Sequence, residues 1–348
     1  MKIITTAIAK APYRYSIDQI LPKIEEWLQD QSESLRKRVL WLFRNAQIQN
    51  RSSVLPIENL FQKMSFEEKN NHYIKVATDL AEEALKKALT QAKIDPESID
   101  YLITTSCTGF MIPSVDAYLV NRLGLKQQIE RLPVTEMGCA GGTAALIYAS
   151  HYLRAYPNRK VAIVAVEAPT LTLQLEDYSM ENFVSSAIFA DGAACVILGN
   201  TEEVAPQILD TQMYHFPNCT HLMGFYLQNS GLKIILDRDV PQEIQSHFPS
   251  VLFPFIEKNH LTIDKINHFI FHPGGKKIIS IVEDLLGKYG KNIDLSKQVL
   301  ADNGNMSSAT VLYVLARFLE KPIPKDDYGL MLAFGPGFTA QTLLLQWK

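Results

Sequence analysis

The 348-residue sequence predicts an α/β protein built from two related halves on one shared core. Three observations lead there. Helix-like and strand-like segments alternate along the chain, and no low-complexity stretch or flexible linker divides it. The chain also repeats itself. Ile94-Asp95 followed by Ile99 to Ile103 resembles Ile263-Asp264 followed by Ile266 to Ile270. Cys139 opens a small-residue segment, Ala140 to Arg154, and Asn305 opens a comparable one, Met306 to Leu319. Val161 to Ala165 matches Gly329 to Ala333, so the landmarks recur at offsets of 169, 166 and 168 residues. That period is too long for a stacked solenoid and fits a duplicated unit. The expected halves are 1–205, carrying Cys139, and 206–348, carrying His272 and Asn305, with a site between them.

The elements follow in order. Ile3 to Ala9 reads as a first β-strand: as a secretory leader it is short, contains two threonines and has no clear cleavage site. Residues 34–46 place Leu35, Val39, Leu42, Phe43 and Ala46 on one helical face. Ser65 with Glu68 forms a capping-box pattern that opens a helix to about Leu89. Ile99 to Thr105 reads as a buried strand. Asp191-Gly192 predicts a hairpin turn, and Phe334-Gly335-Pro336-Gly337-Phe338 a rigid turn beside a pocket.

Composition narrows the function classes. A formal net charge of −3 gives no general reason to expect nucleic acid or an anionic membrane as partner. Apolar runs such as Val161 to Val166 are far too short to span a bilayer. Cys107, Cys139, Cys195 and Cys219 show neither a CxxC pair nor metal-ligand spacing, so no metal is expected. Reduced thiols in the cytoplasm are the reading. The glycine clusters do not follow a phosphate-loop pattern.

Three residues combine reactive chemistry with a suitable setting. Cys139 lies in Gly138-Cys139-Ala140-Gly141-Gly142, where small neighbours leave the thiol uncovered. At a helix start, the dipole and free N–H groups favour thiolate, the nucleophilic form. His272 ends an apolar strand before Pro273-Gly274-Gly275, at the end of a strand where α/β folds place ligands. Paired with Cys139 it can hold a thiolate–imidazolium pair and donate to a substrate carbonyl. Asn305, in Gly304-Asn305-Met306-Ser307-Ser308, suits a helix N-cap. The repeat makes it the counterpart of Cys139, which points instead to an amide donor facing a developing oxyanion.

These motifs resemble a known family. Thr105-Ser106-Cys107-Thr108-Gly109, the Cys139 motif, Ile188-Phe189-Ala190-Asp191-Gly192-Ala193-Ala194, His272-Pro273-Gly274-Gly275, the Asn305 motif and Phe334-Gly335-Pro336-Gly337 occur in the order seen in type III polyketide synthases, the chalcone synthase-like enzymes of the thiolase superfamily. The resemblance runs from about residue 100 to the C-terminus and is poor over the first 60 residues. It implies a duplicated thiolase-like fold of five layers, αβαβα, and a homodimer. It implies Cys139, His272 and Asn305 as the catalytic triad. The cysteine accepts an acyl group, and the other two orient malonyl-CoA and stabilise the enolate left by decarboxylation. Acyl-CoA and malonyl-CoA are then substrates, and no cofactor is needed.

The resemblance further implies substrate contacts at Phe189, a gatekeeping phenylalanine, and at Gly274, Gly275, Phe334, Gly335 and Pro336. The chain departs from the pattern in places. Ile234 stands where the second gatekeeping phenylalanine is expected, which favours a fatty or small acyl starter and pyrone or resorcinol-type products. Met111 or Ile112 takes the place of a methionine that reaches the partner subunit's cavity. Ala333 replaces a glycine, and the coenzyme A-binding cations do not align, although Arg36, Lys37, Arg38 and Arg44 lie in the right region.

The alternatives are a class III ketoacyl synthase of fatty-acid type, which shares the triad but fits the His-Pro-Gly-Gly and Phe-Gly-Pro-Gly pair less well, and a cysteine hydrolase of acyl thioesters, which leaves the duplication unexplained. A degradative thiolase normally has a second basic cysteine in its C-terminal half, whereas the last cysteine here is Cys219. A catalytically silent binding protein has little reason to keep all three reactive groups.

Overall fold

The computed structural model describes residues 1–348. In chain order its elements are β1 (Lys2–Lys10), β2 (Tyr13–Ser16), α1 (Ile17–Trp27), α2 (Glu33–Arg44), β3 (Asn50–Ser53), α3 (Ile57–Leu60), α4 (Phe66–Ala92), β4 (Tyr101–Thr105), α5 (Val115–Arg122), β5 (Glu130–Val134), α6 (Gly141–Ala155), β6 (Val161–Glu167), α7 (Met180–Ile188) and β7 (Gly192–Gly199). Then come β8 (Pro206–His215), β9 (Met223–Gln228), β10 (Gly231–Leu236), α8 (Val240–Lys258), β11 (Ile266–Phe271), α9 (Lys276–Gly287), α10 (Asp294–Asn303), α11 (Thr310–Leu319), β12 (Tyr328–Gly335) and β13 (Thr339–Trp347).

Local sequence explains the helix boundaries. The Ser65 hydroxyl accepts from the Glu68 N–H at 3.2 Å, and the Glu68 carboxylate accepts from the Ser65 N–H at 2.7 Å, so the expected capping box opens α4. The buried face of α4 is rich in alanine (Ala77, Ala81, Ala84, Ala88), which lets the helix sit close to its sheet. Helix α6 is buried on nearly every side, as its run Gly141 to Ile147 requires.

Nine strands run in the order β11-β12-β13-β8-β1-β7-β6-β4-β5. The order reads as one pattern used twice. β4 pairs parallel with β6, β6 antiparallel with β7, and β7 antiparallel with β1. In the same way β11 pairs parallel with β12, β12 antiparallel with β13, and β13 antiparallel with β8. The two sets meet only where Lys2 of β1 pairs with Gln207 of β8. Along β6, Ile163 and Ala165 face α6 and α11, whereas Ala162, Val164 and Val166 face α4, the two-residue alternation of a strand buried on both sides. Ile270, Met331 and Leu343 reach the same central helices from the second set, whose other face packs on α8 and α9 through Phe269, Leu330 and Phe248. The layers are therefore α4, sheet, α6 with α11, sheet, α8 with α9: the five-layered thiolase-like fold.

One local expectation fails. Asp191-Gly192 is not a hairpin turn; the chain passes there from α7 into β7, which pairs with β1 and β6. The Asp191 carboxylate instead accepts from the Val54 and Thr170 N–H groups at 2.7 and 2.9 Å and from the Thr170 hydroxyl. A side chain that bonds distant backbone amides removes the reason for a local turn. The rigid turn expected at 334–338 does form, as the β12–β13 hairpin.

Candidate active site

A cavity of about 1030 Å³ is lined by Cys139, His272 and Asn305, with Phe189, Ile234, Gly274, Gly275, Phe334 and Pro336 on its walls. Cys139 sits in the short turn Gly138–Ala140 that leads into α6, as expected for a helix-start nucleophile. Gly138 adopts φ +49°, and a Cβ there would meet the Pro336 ring at 2.5 Å, so both the backbone and the space demand glycine. His272 follows β11, with its N–H bonded to the Leu332 carbonyl at 2.9 Å. Asn305 precedes the turn into α11, and its N–H donates to the Ile188 carbonyl at 2.8 Å.

The Asn305 amide is fixed in one orientation. Its Oδ1 accepts from the Ser307 N–H at 2.9 Å and the Thr310 hydroxyl at 3.2 Å, and its Nδ2 donates to the Gly274 carbonyl at 3.1 Å. The second Nδ2 hydrogen faces the Cys139 sulfur and the cavity. Both ring nitrogens of His272 are buried without a partner. Burial pushes the Cys139 thiol up to about 12, against hydrogen bonds from Ser307 and Asn305 that favour thiolate. Burial lowers His272 to about 3. Each group is thus driven neutral as it stands, and neither His272 ring nitrogen makes a hydrogen bond to the Cys139 sulfur.

Two residues the sequence offered as substrate contacts do not line the cavity. A Cβ on Gly335 would stand 2.6 Å from the Ala140 Cβ and 2.7 Å from the Met137 carbonyl, so Gly335 serves close packing of the hairpin against the Cys139 turn. Met111 packs against the α4 core, while its neighbour Ile112 is fully exposed. Of Arg36, Lys37, Arg38 and Arg44, only Arg38 reaches the cavity, and Lys37 pairs with Glu33 at 2.6 Å.

Other lining residues went unread. Arg238, Lys276 and Lys277 join Arg38 around the cavity. Phe225 lines it directly across the strand pair from Ile234. Glu167, fully buried, accepts from Ser308 at 2.5 Å, Thr108 at 2.8 Å and the Cys107 N–H at 3.0 Å, and burial raises its pKa. Cys107 lines the cavity beside it, and burial with the Glu167 charge keeps that thiol well above the usual range. The signal was a lone carboxylate ending the apolar strand Val161–Glu167.

Residues 22–202 match the family of chalcone and stilbene synthases through its N-terminal domain, and residues 207–347 through its C-terminal domain. The chain is 34% identical over 345 residues to 1,3,6,8-tetrahydroxynaphthalene synthase of Streptomyces peucetius, covering 97% of this chain and 91% of that one. It is 31% identical to phloroglucinol synthase of Pseudomonas fluorescens over 90% of this chain and 89% of that one. The crystal structure of 1,3,6,8-tetrahydroxynaphthalene synthase from Streptomyces coelicolor, a bacterial type III polyketide synthase, superposes with a TM-score of 0.94 at 26% identity, covering 100% of this chain and 99% of that one. With both family domains matched in order over a cavity that gathers the cysteine, histidine and asparagine, this chain belongs to the chalcone and stilbene synthase family and is a type III polyketide synthase.

Proposed function

We propose that Cys139 carries the acyl chain as a thioester while His272 and Asn305 drive decarboxylative condensation with malonyl-CoA. The observation that carries this reading is the joint lining of one apolar cavity by these three side chains, two of them with free hydrogen-bonding capacity. The Cys139 thiolate attacks the starter carbonyl and expels coenzyme A thiolate. Malonyl thioester then loses carbon dioxide, and the electrons of the broken C–C bond move onto the thioester oxygen as an enolate. A ring N–H of His272 and the remaining Nδ2 hydrogen of Asn305 donate to that oxygen. The enolate carbon attacks the Cys139 thioester and expels the thiolate, and the chain, one unit longer, returns to Cys139 for the next round. Apolar walls keep water from the enolate.

The substrates are coenzyme A thioesters and no resident cofactor takes part. Arg38, Arg238, Lys276 and Lys277 are the cations available to the phosphates of coenzyme A. Met180, Val184, Ile188, Ile234, Ile278 and Ile281 make an aliphatic lining that suits a fatty or small acyl starter, with alkyl pyrones or resorcinol-type phenols as products. The enzyme acts as a homodimer, with the exposed Ile112 meeting the partner subunit's cavity. The halves divide at 205/206, which the separate family matches to 22–202 and 207–347 support.

Mass spectrometry of products from a panel of acyl-CoA starters with malonyl-CoA tests this reading. Aliphatic starters are expected to give alkyl pyrones or resorcinols. Release of free acid without consumption of malonyl-CoA contradicts it and indicates a hydrolase.

A further inference from the structure

Hairpin β9–β10 stands apart from the nine-stranded sheet as a separate two-stranded sheet. Met223, Gly224, Phe225, Ile234 and Leu236 on it form one wall of the cavity. A neighbouring wall is the segment from Pro169 to Thr172, of which Pro169 and Thr172 face the cavity. No backbone hydrogen bond joins these walls. Two buried side chains do. Lys69, from α4, donates to the Leu173 carbonyl at 2.8 Å and to the Ser230 carbonyl at 3.0 Å in the hairpin turn. Gln174 donates to the Thr172 carbonyl at 3.1 Å and to the Leu232 carbonyl at 3.2 Å. Gly231, at φ +118°, brings the turn against both: a Cβ there would lie 3.5 Å from Gln174 Nε2 and 3.6 Å from Lys69 Cδ. A partly buried ion pair between Lys233 and Asp177, 3.1 Å, adds an outer tie.

Lys69 is 8% exposed and meets two carbonyls in place of a carboxylate. Burying an ammonium that way is unfavourable, and an apolar side chain of equal length would fill the space at lower cost. Neither Lys69 nor Gln174 lines the cavity, so neither contacts substrate. What they share is a grip on two cavity walls at once.

We propose that Lys69 and Gln174 are specificity-determining positioning residues, which tie hairpin β9–β10 to the segment ending at Thr172 and so set the cavity width that limits how many malonyl units are added. The inference rests on the polyketide reading above. With the ties intact, Ile234 and Phe225 stand at a fixed distance from Thr172, and the chain is released when it fills the gap. With a tie cut, the hairpin moves outward and a longer chain fits before release. The ties act on the walls and leave Cys139, His272 and Asn305 in place, because those three are held by α6, β11 and the turn before α11.

The experiment uses the full-length enzyme with octanoyl-CoA and malonyl-CoA and compares the natural protein with Lys69→Met, Lys69→Arg and Gln174→Leu. Products are resolved by mass spectrometry, and acylation of Cys139 is measured separately. Lys69→Met is expected to raise the ratio of longer to shorter polyketides at least threefold with Cys139 acylation unchanged within twofold. Gln174→Leu is expected to shift the ratio in the same direction, and Lys69→Arg, which keeps a long cationic donor, to shift it less than Lys69→Met. An unchanged product ratio in Lys69→Met and Gln174→Leu overturns the proposal, as does a fall in Cys139 acylation that accounts for the whole effect. If Lys69→Met does not fold, Gln174→Leu decides alone. Failure of the underlying polyketide reading looks different, since the natural protein itself then consumes no malonyl-CoA.

Discussion

Phe189 and Asn305 lie side by side in one parallel β-bridge. The Asn305 N–H donates to the Ile188 carbonyl at 2.8 Å, and the Ala190 N–H donates to the Asn305 carbonyl at 2.9 Å. The residue at the cavity wall and the amide proposed to bind the enolate are therefore set by one backbone contact between the two repeats. Arg51 strengthens it from the other side, donating to the carbonyls of Ser186 at 2.6 Å and Ala187 at 2.7 Å.

The proposed mechanism puts the main role of Asn305 in the enolate step. Asn305→Ala is expected to slow decarboxylation of malonyl-CoA by roughly 10²–10³-fold, the scale for losing one oxyanion donor. Transfer of the starter to Cys139 should stay within an order of magnitude. Separate assays of acetyl-CoA formation and Cys139 acylation check this; equal losses in both contradict it.

Cys139 and His272 predict a second result. The proposed thiolate–imidazolium pair, formed as substrate binds, would keep the thiolate present below the ordinary thiol value of about 8.5. Alkylation of Cys139 should then remain fast from pH 6.5 upward. In His272→Ala no imidazolium can face the buried thiol, whose burial favours the protonated form, so the rate should climb only at higher pH. Rate against pH for iodoacetamide labelling is the measurement, and superimposable profiles rule the ion pair out.

The sequence told more about the fold than about the cavity. Periodicity and the repeat marked β4, α6, β6, β11, α11 and β12, because buried strands and small-residue helices leave plain patterns. The triad was legible because Cys139 and Asn305 each follow a glycine at a helix start, and His272 stands where an apolar strand meets Pro273-Gly274-Gly275. Phe225, Arg238 and Lys277 were not, since the separate β9–β10 hairpin, the loop after it and the first turn of α9 bring them to the cavity, where nothing in spacing signals tertiary approach. Asp191 misled because its carboxylate serves Val54 and Thr170, contacts of distant sequence. Met111 is partly buried and its neighbour Ile112 fully exposed, a distinction that a one-residue register ambiguity hides.

Ile234 yields a prediction about starters. Its aliphatic side chain faces the cavity opposite Phe225. Ile234→Phe is expected to lower kcat/KM for octanoyl-CoA relative to an aromatic starter by roughly tenfold, within the range of ~1–3 kcal/mol for small changes of pocket shape. Steady-state kinetics on both starters decide it; a natural enzyme that prefers the aromatic starter, or an unchanged preference in Ile234→Phe, removes the argument.

The proposed homodimer would cover the fully exposed Ile112. Sedimentation should find a dimer at assay concentrations, and Ile112→Glu should weaken that dimer and reduce condensation together. An active monomer contradicts the assignment.

The central claim is that Cys139 holds the growing chain. The most direct test is peptide mass spectrometry after brief incubation with an acyl-CoA starter, in the natural protein and in Cys139→Ala. The account predicts the acyl mass on the peptide bearing Cys139, none on Cys107, whose thiol burial and Glu167 keep protonated, and no condensation by Cys139→Ala. Acyl label on Cys107, with condensation persisting in Cys139→Ala, would contradict it.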